Sequence, residues 1–178
     1  MTEHTSDTFA AATPSPGTYT LDPEQTTVRA NVKAMFGLFT VHGTFRLTGG
    51  QVSITADPAG SSARATIDAT SFASGNATRD ADVVSRGLLD AQGFPEITFL
   101  GQGVRPDGAN WVLPGTVTAH GTPAPTEVSV TRAAAEPDGS VRFLATARLD
   151  RTSFGVTRKK GMVGRTVNLV IETVGRPA

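Results

Sequence analysis

Residues 63–70 read Ala-Arg-Ala-Thr-Ile-Asp-Ala-Thr, and residues 141–150 read Val-Arg-Phe-Leu-Ala-Thr-Ala-Arg-Leu-Asp. In the first stretch Ala63, Ala65, Ile67 and Ala69 alternate with Arg64, Thr66, Asp68 and Thr70. In the second, Val141, Phe143, Ala145, Ala147 and Leu149 alternate with Arg142, Leu144, Thr146, Arg148 and Asp150. Strict period-two alternation marks a strand with one buried and one wet face. Here the buried face is built largely from alanine. If such strands close into a barrel, small inward side chains leave its interior unfilled. An apolar bore is a place for an apolar ligand, so the pattern points to binding rather than chemistry.

Working outward, similar runs occur at Val28–Val32, Phe39–Leu47, Val52–Ala56, Ile97–Val104, Trp111–Ala119, Glu127–Arg132 and Thr166–Val174. Asp57-Pro58-Ala59-Gly60, Pro106-Asp107-Gly108 and Pro137-Asp138-Gly139 supply reversals between them. Short links between consecutive strands imply antiparallel neighbours. Gly49-Gly50 inside a longer run predicts a bulge or corner. From Gly75 to Gly93 the alternation lapses, and Val84 and Leu88 stand four apart as on one helical face. Asn76 or Thr78 suits the cap, and Gly93 before Pro95 is a stop. The expected fold is all-β: an extended eight-stranded antiparallel, lipocalin-like barrel with a short helical plug over one mouth.

The chain has 178 residues, enough for one domain with a real core. Sixteen basic and sixteen acidic residues balance, which argues against nucleic acid as a partner. The lack of cysteine removes disulfides, thiol catalysis and thiolate metal sites. Residues 1–17 are polar and Pro-containing and are expected to form a disordered arm, with the barrel domain spanning 18–176. That start has no basic n-region and no apolar h-region, so a cytoplasmic location is expected. No internal repeat or heptad is visible.

Six motifs, in order and spacing, resemble the YceI-like family. They are Tyr19-Thr20-Leu21-Asp22-Pro23, Val41-His42-Gly43-Thr44-Phe45, Gly75-Asn76-Ala77-Thr78-Arg79-Asp80, Phe94-Pro95-Glu96-Ile97-Thr98-Phe99, Gly115-Thr116-Val117-Thr118-Ala119-His120-Gly121 and Leu149-Asp150-Arg151-Thr152-Ser153-Phe154-Gly155. The resemblance runs from about Thr18 to Val174. It implies a barrel with a long apolar bore holding a polyprenyl chain or isoprenoid quinone, with no catalytic residue, metal or cofactor. The family often has a histidine where this chain has Ala34, a Phe-Phe pair at Leu88-Leu89, and an acidic turn residue at Arg165.

Two readings of the bore are open. In one, Ala63, Ala65, Ala69, Val117, Ala119, Ala145 and Ala147 line an isoprenoid channel beside Phe45, Phe99 and Phe143. In the other, Phe45, Leu47, Phe99 and Phe143 interdigitate and close it. A ligand gains about 0.8 kcal/mol per buried methylene, offset by the ordering of a flexible tail. On the channel reading, phenylalanine at Ala65 or Ala147 is expected to block it.

Arg79 and Asp80 either meet a head group at the mouth or anchor the plug. Arg151 and Phe154, where a strand end enters a loop, are further candidates for the mouth, and Phe154 packs on a ligand or on the barrel corner. Arg158, Lys159, Lys160, Met162 and Val163 join basic residues to an apolar tip, either a solvated loop or a contact with an anionic membrane. Met35-Phe36-Gly37-Leu38-Phe39 is the longest apolar cluster: a lip, a core corner or a homodimer face. His42 and His120 lack the third ligand a metal needs, and no GxSxG or HExxH motif accompanies them. A filled barrel acting through its surface is the alternative function, and a hydrolase using His42 or His120 a weaker one.

Overall fold

The computed structural model describes residues 13–178, so most of the expected amino-terminal arm lies outside the described residues. Ten strands follow: β1 (Gly17–Leu21), β2 (Thr27–Ala34), β3 (Phe39–Ile54), β4 (Ser62–Ala73), β5 (Glu96–Gln102), β6 (Arg105–Asp107), β7 (Asn110–Ala119), β8 (Thr122–Ala135), β9 (Val141–Asp150) and β10 (Val163–Pro177). A short helix, α1 (Ala77–Val84), separates β4 from β5.

The pairings form a ring. β2, β3, β4, β5, β7, β8, β9 and β10 follow one another antiparallel, and β10 closes onto both β9 and β2. This is a closed eight-stranded barrel with two additional strands. β6 is a three-residue partner of β7. β1 pairs with the far ends of β10 and β3, Tyr19 with Pro177 and Gly17 with Ile54, and so prolongs the wall where β2 begins. Between them Asp22 caps a 3-10 turn over Pro23–Gln25, accepting from Glu24 N–H. The alternation missed β1 because it is five residues long and interrupted by this turn. Gly17, expected in the arm, opens that strand.

The runs Phe39–Leu47 and Val52–Ala56 are one sixteen-residue strand, β3. Gly49 and Gly50 lie where its register to β4 shifts, so the glycine pair is a bulge. The short helix expected between Gly75 and Gly93, where the alternation lapses, covers 77–84. Asn76 caps it by accepting from Arg79 N–H at 3.0 Å. Ser85 ends it in extended backbone, and Leu88 and Ala91 then anchor the turns that follow by burial.

Residues paired across antiparallel strands share a face. Ala65 opposes Phe99, Phe99 opposes Val117, and Val117 opposes Ala124; Ala145 and Ala147 oppose Ile171 and Leu169. The alanine faces therefore point into the ring. Around β5, β7 and the β10 end, however, large side chains occupy the space small ones leave. A Cβ on Gly101 would stand 2.7 Å from Phe99 and 2.8 Å from Leu113, and one on Gly175 2.9 Å from Tyr19 and 3.3 Å from Phe143. Tyr19, Leu21, Leu47, Leu113 and Val141 are buried. At Gly115 the obstacle includes backbone: an added Cβ lies 2.4 Å from the Leu100 carbonyl oxygen and 2.6 Å from Phe99. Gly115→Ala is expected to cost about 3 kcal/mol, read as a lower urea midpoint at unchanged slope.

Candidate functional site

The packed part of the interior ends roughly midway, and a cavity of about 1270 Å³ opens toward the α1 end of the barrel. Its walls are Val28, Ala30 and Val32 of β2, Val41 and Phe45 of β3, Ile67 and Phe72 of β4, Ile97 of β5, Leu149 of β9, and Val167 and Leu169 of β10. These positions are in register: Ala30 opposes Gly43 and Leu169, and Val32 opposes Val41 and Val167. Phe72 lies across Gly43, where a Cβ would stand 2.1 Å from its ring. It meets Phe45 at 5.2 Å between ring centres. Leu88, Val117, Ala119, Ala124, Phe154 and Val156 form a buried cluster, with Val83, Ile97, Phe99 and Leu149 packed against it. Four of those buried residues (Leu88, Ala119, Phe154 and Val156) also border the cavity.

Of thirty lining residues, seven are polar or charged: Lys33, Asn76, Thr78, Arg79, Asp82, Arg151 and Lys159. None is on β5 or β7. They belong to α1 and its cap, the end of β2, and the segment between β9 and β10. The result is a deep apolar chamber with a polar mouth, the form of a site for an elongated apolar molecule with a polar end.

The expected site residues divide accordingly. Phe45, Ala119, Arg79, Arg151, Phe154, Lys159, Met162 and Val163 line the cavity. Ala65, Ala69, Phe99, Val117, Phe143, Ala145 and Ala147 do not, although their faces point inward; around Gly101 the interior is filled by Phe99 and Leu113, and around Gly175 by Tyr19 and Phe143. Ala63 borders a separate, more polar hollow of about 420 Å³ at the opposite end with Gln51, Ser53 and Arg64. Asp80 turns back to Ser74, accepting from its N–H at 3.0 Å and from its hydroxyl. Arg79 binds the same residue, from Nε to Ser74 Oγ at 2.9 Å and from Nη2 to the carbonyl at 3.2 Å. Both charges thus tie α1 to the end of β4. Lys159 pairs with Asp82 of α1, closing the helix against the β9–β10 segment, while Arg158 and Lys160 are exposed.

Arg151 holds that segment together. It is 7% exposed, and its guanidinium donates to four carbonyls: Nε to Gly164 at 2.9 Å, Nη1 to Val156 at 2.9 Å and Arg158 at 2.7 Å, and Nη2 to Val163 at 2.9 Å. Burial lowers its pKa, and Asp150 opposes that shift. Sequence reasoning placed Arg151 at the mouth but had no signal for this cage, since carbonyls carry no side-chain identity. The wall residues of β2 and β10 were also missed. Their alternation is plain in Val28–Val32 and Thr166–Val174, but nothing local says which level of the barrel stays open.

Asp150 accepts from the Thr152 hydroxyl (2.6 Å) and N–H (2.9 Å) and from Arg165 Nε (2.6 Å). The Thr152 hydroxyl bond is the main cause holding its carboxyl below the usual range. Arg176 does the same for Asp22, and Ser140 for Asp138. Each folded-state value lies below the unfolded one of about 3.9. The stability they contribute is complete above the unfolded value and is lost as pH falls through the folded values. The melting temperature is expected to fall steadily once pH drops below about 4, with a shallower fall in Asp150→Asn. A midpoint constant down to pH 3 contradicts this.

His42 faces outward and donates from Nδ1 to the Asn31 amide oxygen. His120 opens the two-residue β7–β8 turn with φ 52° and donates from Nδ1 to the Phe154 carbonyl at 3.1 Å. Among the described residues no group of three or more His, Cys, Asp or Glu converges for a metal. Among them, too, no helix is long and apolar enough to cross a membrane.

Comparison with known proteins agrees with this geometry. The family model of the YceI-like domain matches residues 19–174. A UPF0312 protein of Enterobacter sp. strain 638 is 26% identical over 163 residues, covering 88% of this chain and 85% of that protein. Protein YceI of Escherichia coli is 25% identical over 173 residues, covering 94% and 91%. Among solved structures, BcnA of Burkholderia cenocepacia superposes with a TM-score of 0.77 at 24% identity, over 86% of this chain and 98% of that one. A polyisoprenoid binding domain from Saccharophagus degradans, implicated in plant cell wall breakdown, gives 0.66 at 14% identity, over 90% and 98%.

Proposed function

From the premise that the chain belongs to the YceI-like family, we propose that it binds and carries an isoprenoid lipid, a polyprenyl chain or an isoprenoid quinone, in the barrel interior. The observation that carries this reading is the cavity of about 1270 Å³, apolar along its depth and polar only at its mouth. The tail lies along Val28, Ala30, Val41, Ile67, Phe72 and Leu169, and the head group stays beside Asn76, Arg79 and Lys159. Binding is mainly hydrophobic, at about 0.8 kcal/mol per buried methylene. The solved polyisoprenoid binding domain from Saccharophagus degradans shares this barrel and supports the same ligand class. No residue is assigned a catalytic role, and cargo exchange takes place where the mouth meets a membrane.

Native mass spectrometry of the protein from its own host, followed by lipid extraction, tests the reading. A mass adduct identified as a polyprenyl lipid or quinone is expected. A sequence-mass apo protein, unchanged after incubation with isoprenoid quinones, overturns it in favour of a barrel that acts through its surface.

A further inference from the structure

Five large apolar side chains stay exposed around the mouth. Met35, Phe36, Leu38 and Phe39 stand in and beside the β2–β3 turn, at 46%, 80%, 76% and 60% exposure, and Met162 stands before β10 at 47%. The two segments are one platform. Met35 N–H donates to the Met162 carbonyl at 2.9 Å and Phe36 N–H to the Gly161 carbonyl at 2.6 Å. The Phe36 ring lies over Gly161, where a Cβ would stand 2.5 Å away. Met35 and Phe36 have φ of 48° and 56°, a region bulky side chains rarely occupy. A turn chosen for comfort alone would carry Asn or Gly there, so the apolar residues are held outward against local preference.

Apart from Asp82, which pairs with Lys159, the charge beside this tip has one sign. Residues 31–42 and 152–171 contain no Asp or Glu and contribute Lys33, Arg158, Lys159 and Lys160 next to the platform. Lys159 is paired with Asp82, whereas Arg158 and Lys160 make no ion pair among the described residues. In a chain of zero net charge this is a local basic field. The platform also runs into the cavity, because Met35, Phe39 and Met162 line it.

We propose that this platform docks the mouth on an anionic lipid bilayer. Phe36 and Leu38 enter the interface, Arg158 and Lys160 meet the phosphates, and the cavity opens toward the acyl region. The inference rests on the lipid reading of the cavity and specifies the surface through which it loads. Apolar tips ringed by unpaired cations suit anionic lipid better than a second copy of this chain, whose equivalent face carries the same positive charge.

The test is co-sedimentation of the full chain with phosphatidylcholine vesicles, with and without phosphatidylglycerol. Partition is expected to rise at least about tenfold with the anionic lipid and to be lost in Phe36→Asn/Leu38→Asn, which keeps its melting temperature because Asn tolerates the left-handed backbone at position 36 and Leu38 is exposed. Orientation is read by fluorescence. Brominated lipid is expected to quench the tryptophan of Leu38→Trp/Trp111→Phe and to spare wild-type Trp111, which stands near the start of β7 at the opposite end. Equal partition into neutral and anionic vesicles overturns the proposal. So does unchanged partition of the Asn variant, or a dimer in ultracentrifugation that this variant abolishes. Lipid extraction of the same samples separates the two readings: cargo without partition removes the docking surface alone, and partition without cargo removes the carrier reading alone.

Discussion

With phenylalanine at both Ala30 and Val32, the protein is expected to fold cooperatively and to lose its lipid. Both positions are successive inward residues of β2 on the cavity wall, so two rings enter space that is open rather than packed. Overpacking costs about 1–3 kcal/mol where a core is full, and little where a chamber is empty. Excluding even one isoprene unit removes several methylene contacts at about 0.8 kcal/mol each, so bound lipid per protein should fall at least about tenfold. Native mass spectrometry counts the adduct, and thermal denaturation reports the fold. Ala65→Phe is the control. Its side chain faces Phe99 across the β4–β5 pair, in the packed part, so it should lower stability and leave cargo in place. Cargo lost in Ala65→Phe but retained in the β2 variant would put the ligand in the other half.

Arg151→Ala is expected to lower stability by about 3 kcal/mol, because hydrogen bonds to a charged group contribute about 1.5–3 kcal/mol each and water recovers part of four. For a chain of this size that corresponds to a melting temperature lower by about 6–12 °C. Arg151→Lys should recover little of it. An ammonium keeps the charge but not the planar fork that reaches the carbonyls of Val156, Arg158, Val163 and Gly164 together. Hydrogen exchange should accelerate first in residues 156–164, and the variant should release cargo faster because one wall of the mouth is loosened. If Arg151→Lys melts and exchanges like the wild type, charge rather than the guanidinium geometry holds the segment.

Much of the architecture was legible in particular residues. The alternation at 63–69 and 141–149 identified inward faces that the register confirms, Gly49-Gly50 marked a bulge, and Asn76 marked the cap of α1. The six motifs identified the family. Less of the site could be read. Small alanine side chains signal a bore, yet Ala65 faces Phe99 across the β4–β5 pair in the packed part. The open walls are mostly valine, leucine and isoleucine, among them Val28, Val32, Ile67, Val167 and Leu169.

Period and turn chemistry are local, so the amino-acid sequence by itself determined that the chain forms antiparallel strands, which side of each faces inward, and that one short helix interrupts them. How much space lies behind an inward residue depends on what reaches it from across the ring. That is decided by register, closure and the path of distant loops, which place Phe99 and Leu113 over Gly101 but leave the level of Ala30 open. The same closure brings Met35 to Met162, Lys159 to Asp82, and Arg151 to four carbonyls. Only the tertiary structure could turn a barrel with small inward residues into one packed end and one chamber.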